Sequence, residues 1–134
     1  MPFFSVIIPL YNKEAFIEST LKSVLKQTFQ DFEIIIVDDG STDESFQLAS
    51  NFKNANIFIF KQKNQGVSVA RNLGIEHASS KYIALLDADD VWHENHLNEL
   101  KKQIDLFPNA GLYCNNYEIL HSKNVRKKAS FNFN

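Results

Sequence analysis

Apolar residues rich in Ile, Val and Phe gather in five short runs along the chain: FFSVIIPL (3–10), FEIIIVDD (32–39), NIFIFKQ (56–62), KYIALLD (81–87) and GLYCNNYEIL (111–120). The first, second and fourth are nearly continuous rather than alternating, which predicts strands covered on both faces, as in a parallel sheet. Helical spacing fills the intervals. NKEAFIESTLKSVLKQT (12–28) offers Asn12 as an N-cap and sets Phe16, Ile17, Leu21, Val24 and Leu25 on one stripe. Ser41 and Glu44 fit a capping box ahead of ESFQLASNF. SVARNLGIEHA (68–78) places Val69, Ala70 and Leu73 on a common face, and HENHLNELKKQIDLF (93–107) repeats Leu97, Leu100, Ile104 and Phe107 before Pro108 ends it. Strand and helix in regular alternation predict right-handed crossovers and an α/β fold, a mostly parallel sheet with helices on both faces. Residues 1–120 are expected to form that domain. From residue 121 to 134, HSKNVRKKASFNFN loses all periodicity and reads as a polar, basic tail or an unfinished element.

Composition narrows the class without changing this outline. A chain of 134 residues sustains one domain with a real core but is short for two. The net charge of −2 provides no field that would recruit nucleic acid. Cys114 is the single cysteine, which excludes an internal disulfide and leans toward a reducing compartment. No apolar stretch approaches the roughly 20 residues needed to cross a bilayer. MPFFSVIIPLYN reads as a first strand rather than a leader, so the expectation is a cytoplasmic protein. KNVRKK (123–128) is a solvated run that could touch anionic lipid, allowing peripheral association with the inner face of a membrane. HENH (93–96) lacks the H-E-x-x-H spacing of a zinc site, and neither the P-loop nor the dinucleotide glycine fingerprint occurs.

The chemistry-bearing residues fall at strand ends. Pro9, Leu10 and Tyr11 close the first run, Asp38 and Asp39 the second, and Asp87, Asp89 and Asp90 the fourth. In a parallel sheet these positions share one rim, the rim where ligands bind. Two readings compete for VDDGSTD. One is a tight turn followed by a capped helix; the other is a carboxylate that accepts hydrogen bonds from a nucleobase imide or a ribose hydroxyl. DADD is either an acidic turn favoured by the dipole of the next helix or a set of hard oxygen ligands for Mg²⁺ or Mn²⁺ that also hold substrate phosphates. Arg71, in NQGVSVARNLG (64–74), is either solvated or pairs with phosphate or with a carboxylate of the same rim.

SVIIPLYNKEAFIESTLKSVLKQTFQDFEIIIVDDGSTD, then NQGVSVARNLG, then YIALLDADDVW resembles the inverting family 2 glycosyltransferases of the GT-A fold, from Ser5 to about Leu120. The resemblance implies a nucleotide-sugar donor, usually a UDP-sugar, and a glycan or lipid-linked acceptor in polysaccharide biosynthesis. It implies that the Pro9–Leu10–Tyr11 loop and Asp39 hold the uracil, that Asp38 supports that turn, and that Arg71 lies near the nucleotide. Asp89 would contact ribose or the metal, Asp90 the metal that bridges the diphosphate, and Asp87, which opens the D-x-D, is a further metal candidate. The cofactor expected is Mn²⁺ or Mg²⁺. In this family the general base comes later in the chain, so it is expected beyond Asn134, and the chain is expected to be the donor-binding part of a longer enzyme. Two rivals remain: a non-catalytic nucleotide-binding module, and a phospho-receiver domain, which usually draws an acid pair from the end of the first strand, where this chain has IPLYN.

Overall fold

A computed structural model describes residues 1–120 and 126–128. Its centre is a parallel sheet of four strands, β1 (Phe4–Leu10), β2 (Phe32–Asp38), β3 (Ile57–Lys61) and β4 (Tyr82–Leu85), in the order β3-β2-β1-β4. The helices between them are α1 (Ile17–Leu25), α2 (Ser45–Ser50) and α3 (Val67–Glu76), and α4 (His96–Leu106) follows β4.

Both central strands are buried at every position, which is why their sequences run apolar without alternation. The edge strands are less covered. β3 is only partly buried. β4, whose continuous run predicted cover on both faces, leaves Ile83 and Leu85 exposed, because no strand pairs with its outer edge among the described residues. Side chains of alternating parity feed two separate cores. On one face Val6, Ile8, Leu10, Ile34 and Ile36 pack with Ile17, Leu21 and Val24 of α1, Ala49 of α2, and Leu97, Leu100 and Ile104 of α4. On the other, Ile7, Ile35 and Val37 meet Ala70 of α3, with Phe60 and Leu73 at the margin. Each fully buried isoleucine here contributes about 2–3 kcal/mol by removal of apolar area from water.

Several element ends depart from expectation, each for a local reason. The first helix begins at Ile17, not after Asn12. Asn12 takes a left-handed backbone (φ 48°), which asparagine tolerates, and its Oδ1 accepts a hydrogen bond from Thr42 N at 2.8 Å. The expected capping box does not form. Ser41 Oγ accepts from Asn12 N instead, and Asp43 Oδ1 accepts from Ser45 N at the start of α2. Phe16, Val69 and Phe107, placed on apolar stripes by spacing, are exposed. The fourth helix starts at His96, where the buried Gln27 substitutes for a local cap. Its Oε1 accepts from Leu97 N at 2.9 Å while its Nε2 donates to His93 O at 2.7 Å. Of the expected strand 111–120, only β5 (Glu118–Leu120) forms. It pairs antiparallel with β6 (Arg126–Lys128) in a separate ribbon instead of joining the parallel sheet. The rest of the expected tail, 121–125 and 129–134, lies outside the described residues.

Gly74 explains how α3 sits so close to the sheet. A Cβ built there would lie 2.5 Å from Ile7 Cγ2, a methyl of a fully buried β-branched side chain. Gly74→Ala is therefore expected to destabilise the fold by about 1–2 kcal/mol, because overpacking outweighs the gain of roughly 1 kcal/mol in helix propensity. Urea denaturation checks this; an unchanged or higher midpoint would rule out the tight contact.

Candidate nucleotide-sugar site

The strand order places the sheet's switch point between β1 and β4. Chain connections leave β1 toward β2 on one side and arrive at β4 on the other, opening a crevice beyond the carboxyl ends of the two strands. A cleft of about 480 Å³ occupies it. Pro9, Leu10, Tyr11 and Lys13 line it from the β1 side and Asp87, Ala88 and Asp89 from the β4 side. Asp39, Asn64, Gly66, Val67 and Ala70 complete the wall.

Asp39, 3% exposed, ties this wall together. Its Oδ1 accepts from Gln62 Nε2 at 2.7 Å and Gln65 N at 2.8 Å, and its Oδ2 from Gly66 N at 2.9 Å. Burial alone would raise the carboxyl's pKa; these three donors more than offset it and hold it below the ordinary value. Gly66, at φ 94°, can take the conformation this loop requires. Asp38 lies beneath the cleft, fully buried and not on its lining. Its Oδ1 accepts from Ser41 N at 3.3 Å, and Lys61 Nζ stands 3.8 Å from its Oδ2.

The acidic loop after β4 is neutralised by two cations from elsewhere in the chain. Arg71 of α3 donates to Asp87 Oδ1 at 2.5 Å, and Lys13 donates to Asp89 Oδ2 at 2.6 Å. Asp90 N closes a turn onto Asp87 O, and the hydroxyl of buried Thr20 lies 2.9 Å from Ala88 O and 2.8 Å from Asp90 O. The Asp90 carboxyl is not on the cleft lining. Desolvation, then the charges of Asp89 and Asp87, raise its pKa above the ordinary range. Among the described residues no group of three His, Cys, Asp or Glu side chains stands ready as a metal site. The donor set still suits a hard divalent cation, since three crowded carboxylates share two side-chain cations.

Thus Pro9, Leu10, Tyr11, Asp39, Asp87 and Asp89 converge on one cleft, Arg71 reaches it through Asp87, and Asp38 and Asp90 stand behind it. Lys13 and Thr20 carry parts of the site that spacing did not single out. A lysine in a loop ordinarily reads as solvated, and a threonine within a helix as neutral.

The sequence profile described as Glycosyl transferase family 2 matches residues 5–134. The chain belongs to that family. A glycosyltransferase of Rickettsia conorii is 49% identical over 92 residues, covering 68% of this chain and 15% of the relative. Among solved structures, S. aureus TarS in complex with UDP superposes with a TM-score of 0.75 at 32% identity, over 79% of this chain and 33% of that one. The mannosyltransferase PcManGT of Pyrobaculum calidifontis, in complex with GDP-Man and Mn²⁺, gives 0.70 at 25% identity, over 77% and 32% of the two chains. These neighbours place the family 2 chain in the GT-A fold, and it spans well under half the length of each protein it matches here.

Acid sensitivity follows from the buried titratable groups. Glu33, at the opposite rim, accepts from the Ser5 and Ser79 hydroxyls and Ser79 N. Burial would raise its pKa, but these donors bring it below its ordinary 4.5. Glu33 and Asp39 therefore stabilise the fold fully above their unfolded values, and that contribution is lost as pH falls through the folded ones. His96, desolvated against Trp92 and next to His93, is pushed down to about 4. Between 6.5 and about 4 the unfolded chain thus binds a proton that the folded chain refuses, which again lowers stability on acidification. Asp90 acts with the opposite sign and offsets part of the loss. The urea midpoint is expected to fall from pH 7 to pH 3, and Glu33→Gln to flatten the slope below about 4.5. A pH-independent midpoint would contradict the assignment.

Proposed function

We propose that the cleft binds a nucleotide sugar with UDP as the nucleotide, and that the chain supplies the donor side of an inverting, metal-assisted transfer to a glycan or lipid-linked acceptor hydroxyl. The observation that carries this reading is the cleft at the β1/β4 switch point, whose wall carries Asp89 paired with Lys13 and Asp87 paired from behind with Arg71. Such a lining suits a diphosphate that arrives with a divalent cation. Pro9, Leu10 and the half-exposed Tyr11 offer an apolar wall for the base. Asp39 keeps acceptor capacity for the uracil imide, since three donors leave one of its roughly four lone-pair sites unused. Asp38 holds the turn beneath. Asp87 and Asp89 on the lining, with Asp90 behind them, would hold Mn²⁺ or Mg²⁺, which would supply neutralisation of charge growing on the leaving diphosphate. Arg71 adds a fixed positive charge on the same side. Residues 1–120 are the donor-binding domain, and work at the inner face of a membrane accords with a lipid-linked acceptor. No described helix is long and apolar enough to cross a membrane.

UDP affinity is expected to depend on Mn²⁺ or Mg²⁺, because a diphosphate facing three carboxylates is otherwise repelled. UDP should also outcompete CDP, whose cytosine lacks the N3–H donor, by the roughly 1–3 kcal/mol of an unpaired acceptor. Calorimetry with metal or EDTA, and competition between the two nucleotides, check both. Equal UDP affinity under EDTA would remove the metal role, and equal competition the Asp39 assignment.

The three carboxylates of the cleft lining each accept protein donors, so none stands uncommitted as a base for an acceptor hydroxyl. The chain by itself is therefore expected to bind donor without acceptor-dependent turnover, since acid–base assistance contributes about 10²–10⁴-fold. UDP release from UDP-sugars, with and without glycan acceptors, checks this; acceptor-dependent release at enzyme-like rates would refute it.

A further inference from the structure

We propose that Lys13 and Asp89 form an exchangeable lock across the cleft. In the structure the ammonium neutralises Asp89. When a nucleoside diphosphate and a divalent cation enter, Lys13 leaves the carboxylate for phosphate oxygen, and Asp89 becomes a ligand for the cation. This deepens the donor-site reading and rests on it.

The lock spans the switch-point crevice, since Lys13 belongs to the loop after β1 and Asp89 to the loop after β4, and both line the cleft. The backbone under Lys13 is fixed while its side chain is not. Lys13 N donates to Ser45 Oγ at 2.7 Å, and the flanking Asn12 N and Glu14 N donate to Ser41 Oγ and Asp43 Oδ2, each at 3.1 Å. Beyond that anchor, the side chains of Lys13 and Asp89 are 37% and 41% exposed. A pair this wet holds its partner only a few-fold against a competitor, and a lysine ammonium on four methylenes can turn between acceptors. Arg71 contrasts with it: its Nε is buried, and its planar guanidinium turns less readily between acceptors than a lysine ammonium on a flexible stem. Lys13 is therefore the cation free to change partners. The crowding of the loop supplies the coupling, because Asp87, Asp89 and Asp90 fall within four positions and repel one another. Asp89 stripped of Lys13 without a replacement cation would add to that repulsion, so the lock opens when both charges of the incoming pair are present.

The test compares Lys13→Met with the unmodified chain in two titrations at low salt, Mn²⁺ alone and UDP in saturating Mn²⁺. Loss of the competing ammonium is expected to tighten binding of Mn²⁺ alone by about two- to fivefold. Loss of a charge-assisted phosphate contact should weaken UDP by about tenfold or more. Lys13→Arg, which retains the cation, should restore most of the UDP affinity. A structural role for Lys13 would move both affinities downward, and a pure phosphate contact would leave Mn²⁺ alone unmoved; either result, or unaltered UDP affinity, overturns the lock. If UDP fails to bind the unmodified chain with Mn²⁺ present, the donor-site reading falls and takes the lock with it. Normal UDP binding with an unmoved Mn²⁺ titration overturns the lock alone.

Discussion

The parallel register of β1 with β2, unbroken from Phe4↔Phe32 to Leu10↔Asp38 and buried on both faces, is the constraint on which the rest depends. A strand enclosed on both sides has no room for an unpaired polar group along its length. Polar chemistry is therefore driven to the two ends of the sheet. At one end Ser5 and Glu33 satisfy each other and the loop at Ser79. At the other, the buried Asp38 and Asp39 accept hydrogen bonds from the loops that follow β2 and β3. Since all four strands point the same way, the loops that Asp38 and Asp39 secure are those around the cleft.

At that rim the difficulty is charge, not packing. Three carboxylates in four positions of one loop repel each other, and burial, followed by that repulsion, raises the pKa of Asp90. The fold compensates from a distance in sequence, with Lys13 from the β1 side and Arg71 from α3. Neither exposed pair is worth much to stability on its own. Their effect is to hold a highly charged loop in place. On the donor-site proposal, a ligand with both a phosphate group and a cation takes the place of Lys13 at Asp89 while Arg71 stays on Asp87.

Much of this was legible in the sequence because it depends on periodicity. Continuous apolar runs identified the enclosed strands β1 and β2 but overstated the cover on β4, and the strand ends located Asp39, Asp87 and Asp89 on one cleft. Arg71 paired with a carboxylate of the same rim, one of the alternatives open to it. What sequence could not convey were partnerships that cross between elements. The apparent cap at Asn12 satisfies the neighbouring loop at Thr42, and Gln27 caps a helix 70 residues away. Cap rules describe local hydrogen bonds, and here tertiary donors and acceptors outbid the local ones. The stretch 111–120 misled for a different reason: Leu112, Tyr117 and Ile119 are exposed rather than buried between layers.

The stretch GSTDES (40–45) shows why composition alone leaves such a site half-read. Glycine, serine and aspartate after a strand signal a turn, and Gly40, at φ 76°, makes one. Yet Ser41, Asp43 and Ser45 also accept hydrogen bonds from Asn12, Lys13 and Glu14, and Glu14 in return accepts from Glu44 N. Adjacent parallel strands lie only about 4.8 Å apart, so the loops that leave their ends run side by side within reach of short polar side chains. Short side chains suffice for that reach and lose little entropy on fixing. The same residues that turn the chain after β2 thus set the backbone after β1, and with it the position from which Lys13 reaches Asp89.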